Sequence, residues 1–229
     1  MKMINSLLII LCNLNIFIRK PRDINLYFIR HAKGYHNDAA IKFGVFEYEN
    51  NEWFDAELTN EGIIQAKELY YKIETIKPDL IYSSPFLRTI QTMEYSVGHN
   101  FANIPIILDD NVRETINGHP CNYRHNKDFI INYTKNNSNR IINYDGIIDS
   151  ERKFEKIPND LIIRGKKWFN DMLNYIKDKP HISNIIIYTH GSFIKYFLNS
   201  PCFRKLNTNI KCTRYPPNVE ICPILIKSG

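Results

Sequence analysis

From Pro21 onward the chain alternates short apolar runs with longer stretches of helical period, and this alternation restricts the fold more than any other feature. Short β-branched runs read as buried strands, and the amphipathic segments between them as crossover helices. Such a pattern predicts an α/β fold, a three-layer sandwich with a mostly parallel central sheet. Residues 24–29 read as the first strand. Residues 60–77 read as one helix, with Ile63, Ala66, Leu69, Ile73 and Ile76 on one face. Pro78 stops that helix, because the residue before a proline is disfavoured in the α region. Strands are predicted over 80–83, 104–108, 185–188 and 219–226, the last at a sheet edge because Pro223 cannot donate to a ladder. Helices are predicted from Pro85, carrying Arg88, Ile90, Gln91 and Met93, over 159–179 and over 191–199.

No linker or repeat interrupts the pattern, so residues 23–229 read as one domain. Residues 117–158 form an Asn-rich, irregular, lid-like excursion from it. At 44% hydrophobic and 24% charged, the 229 residues exclude an intrinsically disordered chain. The net charge of +6 suits an anionic partner. No basic stripe with interleaved aromatics accompanies it, so no nucleic acid is expected. The five cysteines lack paired spacing and read as reduced thiols, with one bridge among Cys202, Cys212 and Cys222 as the alternative. Residues 1–22 read as an extension whose apolar run, 7–18, holds Asn13 and Asn15 and is too short to span a bilayer unaided. A cytoplasmic protein is expected, with secretion or membrane contact through that run as the alternative.

Ligands of open α/β sheets bind beyond the carboxyl ends of the strands. The first strand is followed by Arg30 and His31, the second by Ser83, Ser84, Pro85 and Arg88, the third by Glu114, and the late strand by Thr189, His190 and Gly191. Two histidines, two arginines and a glutamate at four strand ends suit phosphate chemistry.

These segments resemble the histidine phosphatase superfamily, or phosphoglycerate mutase-like family, over most of the chain beyond Asn25. The run from Arg30 through Asn37 is similar to the family's RHG signature. Leu58, Thr59, Gly62, Gln65 and Ala66 match its LTxxGxxQA segment, the stretch from Ser83 through Thr92 its SSPLxRTxQT segment, and Thr189 through Ser192 its THG motif. The resemblance implies a phosphoglycerate mutase-like fold and a metal-independent phosphatase acting through a phosphohistidine, with no cofactor. It implies His31 as nucleophile, Arg30, Arg88 and Asn37 as phosphate ligands, His190 as a further donor and Glu114 as general acid. The substrate would be a small phosphorylated molecule or a phosphoprotein. His119 and Arg124, in the excursion, are candidate substrate contacts, and the His119, Cys121 and His125 group lacks the spacing of a metal site.

Ala32, Lys33 and His36 depart from the common pattern, and a turn needing positive φ at Ala32 would cost about 1 kcal/mol. The segment from Arg113 through Asn117 does not continue as in phosphoglycerate mutases, so mutase activity is the lesser expectation, beside a phospho-ligand binder on the same fold. Asp55 and Glu57 read as structural residues at a helix entry.

Overall fold

The structure, a computed structural model, describes residues 22–98, 101–149, 154–206, 210, 212 and 215–227. In chain order its elements are β1 (Ile24–Arg30), α1 (Tyr35–Phe43), α2 (Asn60–Glu68), α3 (Tyr70–Ile76), β2 (Leu80–Ser83), α4 (Leu87–Val97) and β3 (Ile106–Asp109). There follow α5 (Lys127–Asn137), β4 (Ile142–Gly146), α6 (Asn159–Ile176), β5 (Asn184–Thr189), α7 (Gly191–Leu198), the short α8 (Pro201–Arg204) and β6 (Ile221–Ile226). The strands form one six-stranded sheet in the order β4-β3-β2-β5-β1-β6, in which β6 alone runs antiparallel.

Side chains alternate across a strand, so a strand that is apolar at nearly every position needs cover on both faces. In β5, Ile185 and Ile187 enter one core, while Ile186 and Tyr188 enter the other. The first core holds Phe28 against Trp168 of α6 and Phe193 and Phe197 of α7, with ring centroids of neighbouring pairs 5.2–6.3 Å apart. The second packs Ile29 and Ile81 under Leu87, Ile90, Met93 and Val97 of α4. Helices on both faces of the sheet make the three layers expected. Among the described residues no helix is long and apolar enough to cross a membrane.

Four local expectations change. The helix expected over 60–77 is two helices, because Leu69 N closes a tight bond to Ala66 O at the junction and both Leu69 and Ile73 reach the core. The segment 117–158 is not irregular, since it holds α5 and the strand β4. β4 pairs only with β3 at the sheet edge, and exposed Asn143 and Asp145 alternate with half-buried Ile142 and Tyr144, which hides it from an apolarity count. Arg22 belongs to the domain rather than to the N-terminal extension. Its guanidinium donates to the carbonyls of Ile176, Lys179 and Ile182 at 3.1, 2.7 and 2.9 Å, satisfying backbone groups at and beyond the end of α6. Finally, Cys212 and Cys222 form a disulfide ten residues apart, where reduced thiols were expected, while Cys121 is free and buried. The return of the chain onto β6 brings these two thiols together, which spacing alone does not reveal. The apolar run 7–18 lies outside the described residues.

Candidate active site

The site begins where two parallel neighbours end together. The register pairs Arg30 of β1 with Thr189 of β5, so His31 and His190, one residue further on, leave the sheet side by side. Their rings lie edge to face with centroids 5.1 Å apart. β2 ends beside them, and Ser84 Oγ is 2.9 Å from His190 Nε2.

The backbone after His31 is held from two helices. Ala32 N donates to Thr92 Oγ1 of α4 at 2.9 Å, and Lys33 N to Gln65 Oε1 of α2 at 3.0 Å. Thr59, the N-cap of α2, returns its own N–H and hydroxyl to Lys33 O at 3.0 and 3.2 Å. Gly62 makes this close approach feasible, since a Cβ there would lie 2.1 Å from Lys33 O. Ala32 is fully buried against Leu58 and Ala66 and is not among the positive-φ residues, so the strain anticipated at this position does not arise.

A cavity of about 330 Å³ opens over this corner, lined by Arg30, His31, His36, Asn37, Arg88, Glu114 and His119, with Tyr48, Asn117, Asn122, Ser192 and Tyr215 among the others. Arg30 donates to Pro216 O and Arg88 to Cys121 O, each at 2.8 Å, and Arg30 lies under the Tyr215 ring at 5.2 Å. Even so, Arg30 Nε, Arg88 Nε, His36 Nδ1 and His190 Nδ1 are buried without a hydrogen-bond partner. Unmatched buried polar atoms cost free energy, which a bound anion would recover at the arginines.

Burial, reinforced by the charges of Arg88 and Arg30, holds the His31 imidazole well below its ordinary range, so it is neutral at pH 7. Its Nδ1 lies 2.7 Å from Ala32 O, and a neutral ring donating there keeps its lone pair on Nε2. Burial and the same two arginines depress His36. His190 is lowered by burial, then by Arg88 and His31. It stands beside His31 but does not line the cavity.

Glu114 is buried on the cavity wall, with Thr115 N at 2.8 Å from one carboxylate oxygen and Ser192 N at 3.4 Å from the other. Its segment is clamped by Glu155, which binds both Arg113 and Arg164, while Arg164 donates to Asn111 O and Glu114 O. The negative charge of Glu114, with burial, raises the Tyr215 phenol, whose hydroxyl is 2.9 Å from Ser192 Oγ.

The structure thus brings Arg30, His31, Asn37, Arg88, Glu114 and His119 to one cavity. It does not bring Arg124 there. That side chain is buried in an ion pair with Asp110 at 2.7 Å, so the expected substrate contact is a structural one. Asp55 is also structural but serves α4. Its carboxylate accepts from Leu87 N and His125 N, and burial raises it to about 6. Tyr48 and Tyr215 were missed because they sit in segments without strand-end spacing, while Ser192, inside the motif that follows the late strand, was given no role. Asn218, just before the predicted last strand, donates to His31 O at 2.7 Å. His125 stacks on Phe129 at 3.8 Å, apart from His119 and Cys121. Among the described residues the one trio spaced for a metal is Cys212, Glu220 and Cys222, and the disulfide occupies both sulfurs.

Residues 26–202 match the histidine phosphatase superfamily (branch 1). The chain is 27% identical over 211 residues to phosphoglycerate mutase-like protein 1 of Arabidopsis thaliana, covering 76% of this chain and 71% of the relative. It is 31% identical over 123 residues to phosphomutase-like protein 3 of Candida albicans, covering 47% of this chain and 39% of that protein. Among solved structures, the ecdysone phosphate phosphatase of Bombix mori in complex with tungstate superposes with a TM-score of 0.63 at 14% identity, covering 86% of this chain and 87% of that one. The phosphoglycerate mutase of Bacillus anthracis superposes at 0.56 and 17% identity, covering 91% and 90%. With the family match extending over most of the chain and the shared fold beneath it, this chain belongs to branch 1 of the histidine phosphatase superfamily.

Proposed function

We propose that the protein is a phosphoric monoester hydrolase working through a phosphohistidine on His31. The observation that carries this reading is the neutral His31, its Nδ1 beside Ala32 O at 2.7 Å, on a wall shared with Arg30, Arg88 and Glu114. Nε2 attacks phosphorus, the ester P–O bond breaks, and Glu114 gives its proton to the departing oxygen. Water then attacks the phosphorus of the phosphohistidine, the P–N bond breaks, and the proton released from water returns to Glu114. Arg30 and Arg88 neutralise the equatorial oxygens, which suits a reaction that depends chiefly on positioning and electrostatics. His190 acts through His31, as a positioning residue braced by Ser84. The substrate is taken from solution, and the reading involves no nucleic acid and no cofactor.

The test is turnover of phosphate monoesters in the presence of a chelator, with mass spectrometry of enzyme denatured during turnover. A phosphoryl group on His31, and loss of turnover in His31→Ala, are expected. Phosphate found on another residue, or activity restored only by a divalent metal, would refute the reading. Binding without turnover would mark a phospho-ligand binder, and transfer to a second hydroxyl a mutase.

A further inference from the structure

We propose that the wall formed by His36, Tyr48 and His119 is the leaving-group subsite, and that it selects monophosphates whose leaving group is uncharged and carries a flat ring. The proposal rests on the phosphatase reading for the word leaving group, but its geometry stands apart from it. From His31 outward the rings follow one another, His31 to His36 at 5.7 Å, His36 to Tyr48 at 6.1 Å and Tyr48 to His119 at 5.8 Å. All four line the same cavity. Tyr48 and His119 are half-buried, so part of each ring faces solvent. His36 is 4% exposed, and its Nδ1, buried on the side of Gly34, has no hydrogen-bond partner.

The charges argue for the second half of the proposal. Among the described cavity-lining residues only Arg30 and Arg88 carry permanent positive charge, which one phosphoryl group consumes. Among the described residues, Lys195 stands over the Tyr215 ring at 5.9 Å, while three other basic side chains on adjoining segments are committed elsewhere. Lys33 is paired with Asp38 and Glu61, Arg124 with Asp110, and Arg164 with Glu155. A carboxylate or second phosphate on the leaving group would therefore lose hydration without gaining a further cation from the described cavity-lining residues. An uncharged ring would instead stack on Tyr48 and His119. The loop bearing His119 is braced, with Asn122 Nδ2 donating to Asn117 Oδ1 at 2.8 Å, so the wall exists before the ligand arrives.

The experiment compares benzyl phosphate with 3-phosphoglycerate, both of which release an aliphatic alcohol, using the full chain. Steady-state kcat/KM is measured for wild type, Tyr48→Leu and His119→Leu, and calorimetric binding of both esters is measured for folded His31→Ala. Benzyl phosphate should be favoured by about tenfold or more in both assays. Each leucine variant should remove most of that preference, chiefly through KM. Equal or inverted preference, or a preference unmoved by both variants, would overturn the subsite. Turnover with inverted preference leaves the phosphatase reading standing and removes the subsite. Preferential binding without turnover does the reverse.

Discussion

At the scale of single residues, Glu114 is the most exposed to test, because a proton donor matters only as far as the leaving oxygen needs a proton. Glu114→Gln preserves an oxygen for Thr115 N and so keeps the local hydrogen bond while removing the acid. Hydrolysis of an alkyl phosphate should fall by about 100-fold, and that of an activated aryl phosphate far less. Steady-state kinetics on the two esters checks this. Equal losses would require another donor. Asp109 and Asp110 would be poor successors, since Asn111 binds the first and Arg124 the second.

At the scale of elements, α2 sets the position of the loop that follows the nucleophile. Gly62→Ala would place a Cβ 2.1 Å from Lys33 O, and the loop rather than the helix must yield. A displacement of that size next to His31 should lower kcat/KM by on the order of 10–100-fold. Far-ultraviolet circular dichroism should remain that of the wild type, which separates misplacement from unfolding. The segment closed by the Cys212–Cys222 bond is the opposite kind of element, and its described residues from Tyr215 onward form a strap that meets the site from outside. It supplies the Pro216 carbonyl to Arg30 and the Asn218 amide to His31 O, and lays Tyr215 over Arg30. Cys222→Ser should reduce stability by about 2–3 kcal/mol through the freed loop entropy. Because three contacts loosen together, activity should fall as well. Reductant should reproduce both effects in the wild type and neither in the variant, as followed by urea unfolding and turnover.

At the scale of the whole molecule, buried ionisable groups set how stability depends on pH. His31, His36 and His190 have folded values well below the ordinary imidazole value of 6.5. Below about pH 6.5 the unfolded chain therefore takes up three protons that the folded chain refuses. Their stabilisation is complete above 6.5 and is lost as pH falls. Asp55 opposes this. Raised to about 6 from 3.8, it binds a proton in the folded chain that the unfolded chain has released, so its contribution shrinks as pH rises between those values. Asp109, which burial also raises, acts in the same direction as Asp55, but three imidazoles outweigh two carboxylates, and stability should decline from about pH 6.5 downward, at about 1.4 kcal/mol per pH unit for each net proton taken up. Urea midpoints across that range check the slope. A flat profile would mean that the imidazoles are accessible to protons in the folded chain.

What the amino-acid order determined by itself was the list of chemistry-bearing strand ends. Buried parallel strands demand continuous apolar runs, and the residues just beyond each run must emerge at one edge of the sheet. Arg30, His31, Arg88, Glu114 and His190 were legible for that reason, as was the Pro223 edge strand. Everything that depends on which strand lies beside which was decided by the tertiary structure. Only the pairing of β1 with β5 sets His31 against His190 and leaves His190 behind the cavity wall. Only the folding of 117–158 into α5 and an edge strand turns Arg124 onto Asp110. Only the return of the chain onto β6 brings Tyr215 and the Cys212–Cys222 bond to the site. Local periodicity encodes direction along the chain, whereas contacts between segments far apart in sequence arise when the sheet closes its order and buries both faces.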